Sequence, residues 1–201
     1  MSELKVILVG GTSHAGKSTL AQALGQVLSW DSVSTDSLAR HPGRPWKTAQ
    51  KLVPSHVADH YRLLSVDELL RDVLRHYQTM EPRIRDLVHQ YADSPSGGLV
   101  LEGSALWPPQ VASLANKSVG AVWLTASDSL LQQRIYATSQ FDETTDQDRE
   151  LIQKFLARTL LYNQQMAQEI RRLGLTSITV EEDTSSSELV SQALSVLPAR
   201  R

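Results

Sequence analysis

Apolar positions in this chain fall into two alternating patterns. Short runs rich in Val, Ile and Leu are followed by stretches in which apolar residues recur three and four apart. Val6–Val9, bounded by Gly10-Gly11, reads as a strand buried on both faces. Lys17 to about Leu28 has helical spacing at Leu20, Ala21, Leu24 and Leu28. Ser32–Thr35 predicts a second, short strand. Between Arg40 and Pro54 the chain is broken by Pro42, Gly43, Pro45 and Pro54, which predicts a loop or the base of a lid. Ser65-Val-Asp-Glu68 has capping-box spacing and opens a helix with Val66, Leu69, Leu70, Val73, Leu74 and Tyr77 on one face. A separate helix is expected over Ile84–Tyr91, and a turn over Asp93–Gly98.

The second half repeats the alternation. Leu99–Leu101 predicts a third strand, ended by Glu102-Gly103, and Ala121–Leu124 a fourth. Ser127 caps a helix to about Thr138. Gln140–Gln147 is polar and mobile in character. Arg149–Leu173 predicts a long helix stopped by Gly174. Ser177–Val180 gives a fifth strand, and Ser187–Leu197 a closing helix. Strands alternating with helices call for α/β architecture: a parallel sheet covered on both faces, three layers deep. Ligands of such sheets sit beyond the carboxyl ends of the strands, so Val9, Thr35, Leu101, Leu124 and Val180 mark where chemistry belongs.

Composition narrows the classes. The 201 residues are 41% hydrophobic and 21% charged, which is globular and not disordered composition. Lys and Arg number 20 against 22 Asp and Glu, for a net charge of −2, so no overall basic field advertises nucleic acid or a membrane surface. The absence of cysteine excludes disulfides, thiol catalysis and zinc–thiolate sites. No apolar run approaches the roughly 20 residues that span a bilayer. The opening Met-Ser-Glu-Leu-Lys-Val-Ile-Leu-Val enters a strand too early for a signal peptide, and a cytoplasmic location is expected.

The sharpest motif is Gly11-Thr12-Ser13-His14-Ala15-Gly16-Lys17-Ser18, which fits Gly-x-x-x-x-Gly-Lys-Ser/Thr without mismatch and stands between a predicted strand and a predicted helix. Glycines let consecutive backbone N–H groups curl around one anion, and the helix N-terminus adds its positive end. The stretch Gly11–Thr19 is therefore expected to cradle a nucleoside triphosphate. Lys17 would reach the β- and γ-phosphates, and Ser18 would hold Mg²⁺. His14 either faces the acceptor or fills a variable loop position.

On these residues, and on Leu-Glu-Gly-Ser-Ala-Leu-Trp-Pro at 101–108, the chain resembles P-loop kinases of the nucleoside-monophosphate-kinase-like group along nearly its whole length. Within that group the pattern is most similar to bacterial proteins labelled 2-phosphoglycerate kinase. The resemblance implies a P-loop NTPase fold with a five-stranded parallel sheet in order 2-3-1-4-5. It implies one kinase domain over 1–201, with an acceptor-binding insertion at about 37–95 and a short lid at about 139–150. It places Asp36 opposite the phosphate loop, where an acid takes the acceptor's proton, and the short helix at Ser37–Arg40 that Asp36 would cap is compatible with that role. Glu102 stands where such kinases hold magnesium through water. Most of them use Asp there, so the longer side chain leaves open whether Glu102 faces Mg²⁺ or a substrate hydroxyl. Arg134 takes the helix-to-lid position over ATP. Arg149 and Arg158 are further arginines that either touch nucleotide or substrate or stand as surface charges. Trp107 either lines the acceptor pocket or packs in the core.

Arg40-His-Pro-Gly-Arg44-Pro-Trp46-Lys47 gathers positive side chains and an indole, which suits an anionic or phosphorylated acceptor against an apolar wall. Four acids in Phe141–Asp148 are expected to point to solvent. Tyr162 and Asn163 read as packing. The expected activity is thus an ATP- and Mg²⁺-dependent kinase that phosphorylates a hydroxyl of a small anionic molecule, with Lys17, Asp36 and Arg134 as catalytic residues. The substrate side comprises Asp36, Arg40, Arg44, Trp46, Glu102, Trp107 and Arg158. A nucleotide-binding regulatory module or slow ATPase is the alternative. A polynucleotide 5′-hydroxyl kinase is disfavoured by the charge. No nucleic-acid or membrane partner is expected, and the working unit is a monomer or a homodimer.

Overall fold

β1 (Val6–Gly11) is buried along its whole length and forms the centre of a five-stranded sheet. The computed structural model describes residues 4–39, 43–46, 52–95 and 97–197. After β1 the chain forms α1 (Lys17–Leu28), β2 (Asp31–Ser34), α2 (Ser55–Leu63), α3 (Val66–Ala92), β3 (Leu99–Glu102), α4 (Pro108–Ala112) and β4 (Val119–Ala126). It closes with α5 (Asp128–Ser139), α6 (Asp146–Leu173), β5 (Ser177–Val180) and α7 (Ser186–Val196). Single 3₁₀ turns lie at Thr35–Ser37 and Phe141–Glu143. The strand order is β2-β3-β1-β4-β5, and every pairing is parallel. This is the three-layer α/β/α sheet expected from the alternation of patterns.

Strand residues alternate between two cores, as the pleat demands. Val6, Leu8, Leu99 and Leu101 pack with Val73, Tyr77, Met80, Tyr162 and Met166 of α3 and α6. Ile7, Val9 and Val100 pack on the other face with Leu20, Leu24, Leu189 and Ala193 of α1 and α7. A third cluster lies off the sheet, where Trp46, Val57, Tyr61 and Leu69 meet Ile135, Ile152 and Phe155. No helix among the described residues is long and apolar enough to cross a membrane.

Two helical boundaries differ from the sequence expectation, and two helices were not expected. The two helices expected on either side of Pro82 are one, running from Val66 to Ala92. Pro82 cannot donate to the carbonyl of Gln78, but both residues are exposed, so water can take that carbonyl. The apolar stripe of Tyr77, Met80, Ile84 and Val88 meanwhile continues through the break. The Ser65–Glu68 capping box forms as expected. Helix α6 begins at Asp146, because Thr145 Oγ accepts from the Asp148 amide and acids favour a first helical turn. Helices α2 and α4 have no counterpart in the sequence expectation.

The carboxyl end of the sheet is closely packed. Gly103, just past β3, has φ 154, and a β-carbon there would fall 1.7 Å from Thr35 Oγ1 and 2.8 Å from Thr35 Cβ. Thr35 is fully buried and cannot swing away. Gly103→Ala is expected to destabilise the fold by about 1–3 kcal/mol through this overlap, read as a lower midpoint in urea unfolding with an unchanged slope.

Candidate active site

The phosphate-loop sequence folds as a tight turn, with the Ala15 N–H donating to the Thr12 carbonyl at 3.3 Å. Gly11 has φ 145, and a β-carbon there would come within 2.8 Å of the Leu124 carbonyl. Gly16, with φ 98, is the N-cap of α1 and offers no side chain to it, and the first turn of α1 holds no acidic residue. The helix's leading N–H groups therefore face the strand ends without a side-chain cap, which is the arrangement that receives phosphate. Lys17 is only 8% exposed, and its Nζ donates to the Thr12 carbonyl at 2.7 Å. Burial lowers its pKa, Arg44 adds to that, and Glu102 and Asp36 oppose it. It is a buried ammonium with no ion pair among the described residues, poised for an anion.

Neighbours fix the loop from three sides. Arg134 of α5 donates Nη1 to the His14 carbonyl at 3.0 Å. Thr12 Oγ1 donates to the Thr159 carbonyl of α6 at 3.3 Å. Ser18 Oγ donates to Glu102 Oε1 at 3.1 Å. Glu102 is 6% exposed and stands at the end of β3, in register with Val9 on one side and Ser34 on the other. A hydroxyl and a carboxylate side by side are oxygen ligands of the kind Mg²⁺ takes alongside phosphates and water. No three His, Asp or Glu side chains cluster as a metal site among the described residues.

Across from the loop, Asp36 sits in the turn after β2, its amide held by Ser34 Oγ at 3.3 Å. Its carboxylate is exposed and has no partner among the described residues. The loop and Asp36 face one open cavity of about 1760 Å³. Arg44, Trp46, Tyr77 and Arg158 also line this cavity. Trp46 packs edge-on against Phe155 at 4.8 Å between ring centroids, and the Arg44 guanidinium lies 5.8 Å from the indole centroid. Arg158 is 8% exposed and lies over Phe155 at 4.7 Å and Tyr61 at 5.6 Å. It has no acidic partner among the described residues.

The structure thus brings together Gly11–Thr19, Arg134, Ser18 with Glu102, and the group Asp36, Arg44, Trp46 and Arg158. Arg40 lies outside the described residues. Trp107 does not line the cavity; it precedes α4 and packs on Tyr162 at 5.1 Å, because Pro108 starts a helix that carries its ring into the core. Arg149 is not at the phosphate end. It donates to the carbonyls of Phe141 at 3.1 Å and Asp142 at 2.9 Å and pairs with Asp146 at 3.1 Å. Phe141 in turn stacks on Tyr136 at 3.9 Å and 4°. The polar segment expected to be mobile is a braced turn, with Asp142, Glu143 and Asp146 in solvent. Tyr162 and Asn163 pack as expected, donating to the carbonyls of Ser104 at 2.6 Å and Ala126 at 3.0 Å. The sequence reading missed His56, His60, Asp72 and His76, which reach the cavity from α2 and α3. Their signal is the four-residue offset within each pair, visible only once both helices are known.

His14 has φ 64, and its Nδ1 lies 3.0 Å from Ser13 Oγ. Burial lowers its pKa from 6.5 to about 4, helped by Arg44, Lys17 and Arg134. Between these values the unfolded chain binds a proton that the folded chain refuses, so this part of the stability is complete above pH 6.5 and declines as pH falls toward 4. Denaturant unfolding of wild type against His14→Asn should show a shallower acid loss over that window in the variant.

Scans of protein-family models and of curated proteins give no match to this chain. Solved structures do resemble it. A gluconokinase from Sinorhizobium meliloti 1021 aligns over 97% of this chain and 92% of its own, with 19% identity and a TM-score of 0.53. A shikimate kinase from Aquifex aeolicus vf5 aligns over 94% of each chain, with 12% identity and a TM-score of 0.54. An uncharacterized protein from Eubacterium ventriosum ATCC 27560 aligns over 96% of this chain and 99% of its own, with 12% identity and a TM-score of 0.51. At these identities the likeness is one of fold, and the fold is that of the P-loop kinases.

Proposed function

We propose that this chain is an ATP-dependent kinase that transfers the γ-phosphoryl group to a hydroxyl of a small anionic molecule, in the cytoplasm, as a monomer or a homodimer. One observation carries the reading. A buried, unpaired Lys17 at an uncapped helix start faces the free carboxylate of Asp36 across a single cavity. That cavity exceeds the roughly 300–1,000 Å³ that one small ligand fills, so there is room for a nucleotide and an acceptor together. A regulatory nucleotide switch has no use for the second half.

In this reading the N–H groups from Gly11 to Thr19 and the Lys17 ammonium hold the triphosphate. Ser18 and Glu102 hold magnesium, which when bound neutralises charge on the phosphate oxygens. Arg134, braced on the loop, adds positive charge where the transferring oxygens gain negative charge. Asp36 accepts a hydrogen bond from the acceptor hydroxyl and fixes its oxygen in line with the γ-phosphorus. As the new O–P bond forms and the β,γ-bridging P–O bond breaks, the hydroxyl proton passes to Asp36 and ADP leaves. Arg44 and Arg158 supply the positive charge that selects an anionic acceptor, against the ring of Trp46. A phosphorylated hydroxy acid of the 2-phosphoglycerate kind, or a natural-product intermediate of similar charge, suits this wall. The names of the similar structures, a gluconokinase and a shikimate kinase, agree with a small acceptor.

The reading is tested by coupled ADP release over pooled hydroxyl compounds, with Lys17→Ala as the blank. At least one anionic pool should raise release above the blank; if none does, the kinase reading fails. With the active compound in hand, Asp36→Asn should lower turnover by roughly 10²–10⁴ while leaving ATP affinity nearly intact. Unchanged turnover removes Asp36 from the mechanism.

A further inference from the structure

The cavity wall holds two rings, half-buried His14 and buried Trp46, each with one ring nitrogen that has no partner among the described residues. His14 Nε2 and Trp46 Nε1 are out of reach of solvent and have no hydrogen-bond partner among the described residues. Such groups are few in native folds and costly where they occur. Both residues line the cavity. Their rings lie 6.1 Å apart, and each faces Phe155, at 6.1 Å from His14 and 4.8 Å from Trp46. The guanidinium of Arg158 lies over that same Phe155 ring at 4.7 Å. Three polar groups from three separate segments thus surround one ring.

Two of the three can only donate: an indole N–H and a guanidinium. The third, His14, shares a hydrogen bond between Nδ1 and Ser13 Oγ at 3.0 Å; in the tautomer where the hydroxyl donates, the imidazole proton stands on Nε2, and that is the tautomer the seat requires. Burial and the three cations around it keep that imidazole neutral, since its pKa is lowered to about 4. The position is also held against its backbone preference: His14 has φ 64, in the left-handed region where a β-carbon is disfavoured. The turn carries the ring to Trp46 and Phe155, while the carbonyl of His14 stays in the loop and accepts from Arg134.

We propose that the His14 side chain belongs to the acceptor's seat, and that His14 Nε2–H, Trp46 Nε1–H and Arg158 together hold an oxyanion, phosphate or carboxylate, carried by the acceptor. This rests on the kinase reading in taking the anion to be part of the acceptor. Every group in the seat donates, so a ligand oxygen with lone pairs satisfies it, and an amine or a further N–H does not. His14 then ties the acceptor to the same loop that holds the triphosphate.

The test fills the phosphate loop with magnesium and a non-hydrolysable ATP analogue. Inorganic phosphate and acetate are then titrated separately by calorimetry. The His14 imidazole nitrogens are followed in protein carrying nitrogen-15 histidine, and His14→Gln assigns that one signal among the 6 histidines. At least one of the two anions should bind saturably and move the His14 Nε2 resonance, and the tighter one names the acceptor's group. His14→Asn keeps a residue that tolerates positive φ but stops at the Nδ1 position, so it should bind the anion about tenfold more weakly. His14→Gln reaches the Nε2 position and should stay within about twofold. Trp46→Phe should weaken binding about tenfold with the ring retained. Affinity for the ATP analogue should stay within about twofold in Trp46→Phe, which lies outside the phosphate loop. The proposal is overturned by anion binding that leaves the His14 resonance still, by equal binding in His14→Asn, or by a loss confined to the ATP analogue. A protein that phosphorylates an acceptor yet takes up neither anion overturns this seat and leaves the kinase reading standing. Anion uptake at His14 with no ADP release from any hydroxyl compound does the reverse.

Discussion

The chain leaves the central strand of the sheet and enters a helix within a few residues, and that turn strands a positive charge in the interior. Lys17 is buried at the N-terminus of α1, where the helix adds its own positive end and no side chain caps it. A carbonyl of the same loop is a weak counterpart for a buried ammonium. The opposing charges, Glu102 and Asp36, come from the ends of neighbouring strands. The sheet order is what brings them there: β3 lies beside β1, and β2 lies beside β3. Parallel strands put all three carboxyl ends on one side, so one topological fact supplies the cation, the metal-type oxygens and the acceptor-side carboxylate.

The two halves of the cavity share a second anchor, helix α6. Thr159 holds the phosphate loop through Thr12, and Asn163 holds β4 through the Ala126 carbonyl. One turn away Arg158 and Phe155 form the floor of the acceptor side. Further toward the N-terminus of α6, Lys154 donates to the carbonyls of Arg62 at 3.0 Å and Leu64 at 2.9 Å, closing the end of α2. These contacts tie the phosphate loop, β4 and the end of α2 to one helix; on the kinase reading that helix spaces triphosphate and acceptor, and in-line transfer tolerates little misplacement.

Local signals made most of the sheet legible. The strands announce themselves as short β-branched runs, the phosphate loop by glycine spacing, and α3 by a Ser-x-x-Glu box that forms as written; α7 has a like box at Ser185–Glu188 that the sequence reading did not use. What was hidden depends on surroundings. Helix α2 buries only Val57 and Tyr61 and starts after a proline without a side-chain cap, so it has no apolar stripe to read. The acidic start of α6 resembles a loop in composition, yet Thr145 and Asp148 are a cap. Trp107 and Trp46 are both indoles beside prolines, and only the packing tells them apart: one turns toward Tyr162 under the sheet, the other toward Phe155 and the cavity. Arginines were the least readable. Arg134, Arg149 and Arg158 look alike in sequence, and they brace the loop, brace a turn and line the cavity over Phe155.

The braced turn changes where closure must occur. A kinase has to keep water from the γ-phosphorus, and a mobile lid over the nucleotide is one way to do it. Here the turn after α5 is stacked on Tyr136 and tied by Arg149, and α6 begins directly behind it. Little of that segment is free to travel. The wall away from the phosphate loop is different: Arg44 and Trp46 lie in a stretch with neither helix nor strand, beside the rings of Tyr61 and Phe155. On the kinase reading, shielding the transfer therefore falls to the acceptor and the residues that fold over it.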